Sequence, residues 1–172
     1  VDGLQKALPG VRTVNGAGVV RGCRMHKTPA EIALMQVAAD ITIAAFRDAS
    51  KRIKAGMTPA DINALIAGAT AQLGGKGGDA LILLGEASAY PHGSGKPQQV
   101  REGEVILLDG GCLVHGYVSD ISRSFVFGEP SKRQREVWAQ VRQGQQVAFE
   151  AAQLGKPCGA VDDAVRGWYE KI

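Results

Sequence analysis

Two aspartates, Asp109 and Asp120, lie eleven positions apart in the run from Val105 to Arg123, which otherwise has the apolar pattern of buried strand. Carboxylates in such surroundings persist only when paired, hydrogen-bonded or bound to a metal. A turn at Val114-His115-Gly116 folds the run back on itself, with glycine available for positive φ. The two strands then pair antiparallel, with Asp109 opposite Asp120 or one diagonal step from it, on one face. Cross-strand neighbours bring their Cβ atoms to about 4.5–5.5 Å, and like charges at that range repel unless a cation sits between them. Oxygen ligands suit manganese, magnesium or calcium and also serve cobalt, iron or zinc. Turn-capping aspartates, or a salt bridge to Arg123, are the alternative reading of the same spacing.

The rest of the chain supplies a frame for that hairpin. Thr28-Pro29-Ala30-Glu31 combines an N-cap hydroxyl, proline at the first helical position and a glutamate placed for a capping box. The helix it opens carries an apolar stripe of Ile32, Leu34, Met35, Ala38, Ala39, Ile41, Ala45 and Phe46, and Gly56 ends it. Thr58-Pro59-Ala60-Asp61 repeats the start signal for a second helix, stopped by Gly74 and Gly75. Two helices therefore precede the first clear strand. Gly74 to Gly78 reads as a flexible connection, since it lacks the spacing of a phosphate loop. Short apolar runs at Leu81–Leu84 and Val105–Leu108 and an alternating stretch from Tyr117 to Phe127 read as strands, with a turn at Arg101 to Glu104. Ser131 and Gln134 form another capping box, opening a helix through Val137, Trp138, Val141, Val147 and Phe149 to about Leu154. Gly155 and Pro157 break it, and a last helical pattern begins near Val161.

Composition narrows the function classes. The 172 residues suffice for one good core, and the net charge of +3 comes from basic residues that are spread out rather than gathered. With aromatics at 5%, nucleic acid is not implied. Cys23, Cys112 and Cys158 form an odd set without C-x-x-C spacing, so a reducing cytoplasm is expected, with Cys112 a small buried hydrophobe. No consecutive apolar run approaches the roughly 18 residues of a membrane span, and no membrane is implied. Among the histidines, His92 sits in a glycine-rich loop, Ala-Tyr-Pro-His-Gly-Ser-Gly, where an imidazole can face a substrate. His115 lies at the hairpin turn and His26 just before a helix cap, and both read as structural.

Leu-Leu-Asp109-Gly-Gly followed by Gly-Tyr-Val-Ser-Asp120-Ile-Ser-Arg, with Pro91-His92 upstream and Arg24 to Thr28 and Glu31 opening the first helix, resembles the prolidase and aminopeptidase P family of metallopeptidases. The likeness runs from about Val19 through the helix after Ser131. It implies an α+β fold, the first half of a pita-bread catalytic domain with helices packed on an antiparallel-rich sheet. Residues 1–24 would be a remnant of an N-terminal domain and linker, and 25–172 the N-terminal portion of the catalytic domain. It also implies that Asp109 binds one metal, that Asp120 bridges two, and that His92 contacts the substrate and helps stabilise the tetrahedral intermediate. Ser122 would stand near the metals, where most members carry threonine. The reaction implied is attack of a metal-activated water on the carbonyl before a proline, with two divalent ions of manganese, cobalt or zinc. The substrate would be a small proline-containing peptide and the assembly a homodimer.

The family completes its site with a histidine and two glutamates from its second half. No histidine follows His115, and Glu129, Glu136, Glu150 and Glu170 stand in turn or helix contexts unlike those motifs. The sequence is therefore expected to be part of a longer enzyme, a prolidase-like dipeptidase ahead of an aminopeptidase P, and inactive by itself. A methionine aminopeptidase shares the two aspartates and is the second enzyme reading. A non-catalytic binding module on the same fold is the alternative from another class.

Overall fold

The computed structural model describes residues 2–172; Val1, the first residue of the expected remnant segment, lies outside the described residues. Among the described residues the helices are α1 (Asp2–Ala7), α2 (Ala17–Met25), α3 (Pro29–Arg52), α4 (Pro59–Gln72), α5 (Lys132–Ala151) and α6 (Gly159–Tyr169). The strands are β1 (Lys76–Leu84), β2 (Val105–Val114), β3 (Tyr117–Val118) and β4 (Ile121–Val126), with a 3-10 segment at Gly85–Ala89. They form one sheet in the order β1-β2-β3, with β4 also paired to β2. Four helices rather than two thus precede β1, because α1 and α2 form in the segment expected to be a linker remnant.

The helix starts follow their capping chemistry. Thr28 N–H donates to Glu31 Oε2 at 2.6 Å while Glu31 N–H donates to Thr28 Oγ1 at 3.3 Å. Thr58 and Asp61 repeat the exchange at 2.8 and 3.3 Å. Ser131 and Gln134 do so at 2.7 and 3.2 Å. Each box satisfies two backbone donors that a helix start otherwise leaves without partners.

The chain divides into two compact units. The first holds, of the described residues, 2–52, 63–80 and 109–122. Its core is one face of α3, where Ala38, Thr42, Ala45, Phe46 and Ala49 are buried at helical spacing, together with Ile66, Ala69 and Thr70 of α4 and Cys112 of β2. The expected stripe is corrected at its start: Ile32 and Met35 are exposed. By length and composition alone α3 is apolar enough to cross a membrane, which the count of consecutive apolar residues did not register. Its alanine-rich face is instead core of this unit, against β3 and its neighbours. The glycine-rich stretch is also corrected. Lys76, Gly77 and Gly78 are strand rather than a flexible connection. A Cβ on Gly78 would lie 2.5 Å from Thr70 Cβ, so glycine here lets β1 press directly onto α4.

The second unit holds 53–62, 81–108 and 123–172. Its core includes Ile53, Ile62, Ile82, Leu83, Leu84, Val100, Ile106 and Leu108. Backbone bonds close its loops: Val100 N–H donates to Met57 O while Gly56 N–H donates to Val100 O, and Phe127 N–H donates to Glu104 O while Gly103 N–H donates to Phe127 O. Here α5 and α6 pack on each other, and buried Gly144 lies so close to the Tyr169 ring that a Cβ would sit 2.6 Å from its hydroxyl. On α5, Val137, Trp138, Val141 and Phe149 are exposed. Together with Val105, Phe125, Val126 and Pro130, the first three line an open apolar groove of about 830 Å³.

Candidate metal centre

The hairpin that carries the aspartates closes through a two-residue turn. His115 and Gly116 have φ of 46° and 89°, the positive pair that a type I′ turn requires and that matches the twist of the flanking strands. The register is Val114 with Tyr117 and Leu113 with Val118. Carried along the hairpin, it sets Cys112 against Ser119, Gly111 against Asp120 and Asp109 against Ser122. The Ser122 hydroxyl donates a short hydrogen bond to Asp109 Oδ1, in keeping with that register.

Strand alternation then sorts the two faces. Cys112 and Ser119 point into the core, while Asp109, Gly111, Leu113, Val118, Asp120 and Ser122 belong to the other side. Asp109 is half-buried and Asp120 exposed, so the expectation of two buried carboxylates is corrected. The hairpin is buried on one face only, and the acidic face is the open one. Between β3 and β4 the strand is interrupted at Ser119-Asp120, which places Asp120 at the break rather than within a continuous strand.

Asp109-Gly110-Gly111 is explained by close backbone approach on both sides. A Cβ on Gly110 would lie 2.3 Å from Asp79 O, and one on Gly111 would lie 1.7 Å from Ser119 O. Only glycine fits between these neighbouring main chains. Asp79, which no sequence motif singles out, lines the same shallow groove as Gly111, Val118 and Asp120. Asn63 of α4 fixes it, donating to Asp79 Oδ1 at 3.3 Å and accepting from Ala80 N–H at 3.0 Å. At the hairpin tip, Tyr117 donates to Glu31 Oε1 at 2.6 Å. That bond, with those from the Thr28 backbone and hydroxyl, lowers the Glu31 carboxyl from its ordinary 4.5 to about 2, and the Tyr117 hydroxyl is raised in turn.

His92 belongs to the second unit, exposed in the turn that follows the 3-10 segment. The donors on the acidic face are hard oxygens, two carboxylates and a hydroxyl, the kind that holds divalent cations. Among the described residues no group of three or more His, Cys, Asp or Glu side chains is placed to hold a metal ion. The donor set therefore fits a divalent metal as a partial shell and not as a closed one.

The model of metallopeptidase family M24 matches residues 33–172. The chain belongs to metallopeptidase family M24. Among curated relatives of this M24 chain, an Xaa-Pro dipeptidase of Pyrococcus furiosus is 31% identical over 150 residues, covering 86% of this chain and 43% of the relative. An Xaa-Pro dipeptidase of Lactobacillus helveticus is 33% identical over 149 residues, covering 83% and 40%. The crystal structure of an X-Pro aminopeptidase from Thermotoga maritima superposes with a TM-score of 0.85 at 29% identity, over 99% of this chain and 49% of that one. The M24 chain thus spans less than half the length of these relatives. Its helices and antiparallel hairpin are the pita-bread fold of the prolidase and aminopeptidase P group, represented by about half of the relatives' length.

Proposed function

We propose that this chain is part of a divalent-metal Xaa-Pro peptidase that hydrolyses the peptide bond preceding proline, of the prolidase-like dipeptidase type. The observation that carries the proposal is the shared open face of Asp109, Asp120 and Ser122. The names of the relatives supply the substrate class: the Pyrococcus furiosus and Lactobacillus helveticus proteins are Xaa-Pro dipeptidases. Asp109 and Asp120 would each give carboxylate oxygens to a pair of divalent ions, manganese, cobalt or zinc. When bound, such ions supply Lewis acidity and a water activated at neutral pH. Ser122 donates a hydrogen bond to one oxygen of Asp109. His92 would meet the substrate near the scissile carbonyl. The ligands that complete the shell, and a homodimeric assembly, belong to the whole protein. Two carboxylates without them hold a divalent ion weakly, because affinity follows ligand number and geometry.

The test is manganese binding to the purified chain, read from the loss of the free-ion electron paramagnetic resonance signal, for wild type, Asp109→Asn and Asp120→Asn. Weak binding at millimolar metal that either substitution abolishes supports the reading. Equal binding by all three, or none by wild type, sinks it. The substrate assignment is tested separately, by joining the chain to the remaining half of a relative and assaying Xaa-Pro against Xaa-Ala dipeptides. Cleavage of both at equal rates would remove the proline specificity.

A further inference from the structure

The β2–β3 ladder departs from regular pairing just where it reaches the aspartates. In an antiparallel pair, residues placed as Cys112 and Ser119 are exchange both N–H···O bonds. Here Ser119 N–H donates to Cys112 O at 3.1 Å, as expected. The reciprocal bond differs: Cys112 N–H donates to Ser119 Oγ at 3.0 Å, so the side chain stands in for the residue's own carbonyl. The displaced carbonyl is turned over Gly111, where only a glycine leaves room for it. The strand breaks at this point, and the next residue is Asp120.

The substituting hydroxyl is itself held. Thr42 Oγ1 of α3 lies 2.8 Å from Ser119 Oγ, and all three residues, Thr42, Cys112 and Ser119, are buried. One assignment satisfies every group: Ser119 Oγ accepts from Cys112 N–H and from the Thr42 hydroxyl and donates to Cys112 O at 3.3 Å. The Cys112 thiol then donates to Ala38 O at 3.3 Å. A buried, fully partnered hydroxyl in the core of the first unit thus adjoins an exposed carboxylate, that of Asp120. Buried networks of this kind rigidify because each member lost leaves another unpartnered.

We propose that Ser119, fixed by Thr42, is a positioning residue for Asp120: by replacing its own carbonyl in the ladder it breaks the strand and holds the Asp120 backbone in place on the face that it shares with Asp109. The proposal rests on the reading of Asp120 as a metal ligand. A residue that orients a ligand without touching the metal commonly changes affinity by about 10- to 100-fold when removed.

The experiment compares wild type, Ser119→Ala, Thr42→Val and Thr42→Ser in two independent readouts, manganese affinity and residue-resolved amide signals with hydrogen exchange. For Ser119→Ala the expected result is at least a roughly tenfold loss of affinity, with faster exchange at Cys112 and displaced signals for Gly111 and Asp120. Thr42→Val keeps the side-chain volume without the hydroxyl, gives a smaller change in the same direction and remains informative if Ser119→Ala does not fold. Thr42→Ser retains the hydroxyl and restores wild-type values. A lower melting temperature with unchanged manganese affinity and unmoved Asp120 signals overturns the proposal. If wild type binds no manganese, the peptidase reading fails, and Ser119 is judged by the Asp120 signals alone: displacement supports its positioning role and constancy refutes it.

Discussion

Gly111→Ala is the sharpest probe of the hairpin, because its sign depends on the tertiary structure. In a strand with open space, alanine in place of glycine stabilises by roughly 0.5–1 kcal/mol, since the unfolded chain loses less freedom. At Gly111 the added Cβ would stand 1.7 Å from Ser119 O and 2.6 Å from Ser119 C. Both colliding atoms are main chain, so no rotamer change relieves the contact. The strands must separate, which also stretches the 3.1 Å bond from Ser119 N–H to Cys112 O. Overpacking costs about 1–3 kcal/mol, and a collision with backbone belongs at the upper end, about 3 kcal/mol. For a chain of this size each kcal/mol moves the melting temperature by roughly 2–4 °C, so a fall of about 6–12 °C is expected. Scanning calorimetry on the purified chain measures it. A variant melting within about 2 °C of wild type, or above it, would refute the close approach and the ladder break built on it.

Gly68 is the complementary case: it lies within α4, exposed, with nothing within 4 Å of an added Cβ. Gly68→Ala should raise stability by about 1 kcal/mol, seen as a melting temperature roughly 2–4 °C higher. Acid stability should depend on the hairpin tip. Glu31 is lowered from 4.5 to about 2 in the folded chain, chiefly by Tyr117 and then by Thr28, so its contribution is fully present above about pH 4.5 and is lost as the pH falls toward 2. Tyr117→Phe removes the largest cause and should move the acid-unfolding midpoint, followed by circular dichroism, to higher pH; an unchanged midpoint would show that the bond does not distinguish folded from unfolded chain.

Much of the frame was legible because its signals are local. The three capping boxes, Thr28 with Glu31, Thr58 with Asp61 and Ser131 with Gln134, each involve residues three apart and form as the spacing predicts. The His115-Gly116 turn was legible for the same reason. Burial was less so. Ile32 and Met35 have the spacing of the apolar stripe on α3, yet whether a stripe is covered depends on what packs against it, and in this chain they are exposed. Lys76-Gly77-Gly78 is strand where its composition suggests a loop, because glycine permits both a loose loop and the tight seat of a strand on Thr70.

The sequence by itself determined the family and the pairing of Asp109 with the segment around Asp120, since these follow from residue identity and spacing along one hairpin. Tertiary structure alone decided that the carboxylates stand on an open face and that Asp109 meets Ser122 directly. It also brought Thr42 from α3 to Ser119 across 77 positions of chain. The reason is physical: capping and turn energies act between near neighbours. Burial, register and the close approach of Ser119 to Gly111 are set by distant segments meeting in the core, where a single missing Cβ decides how near two backbones can come.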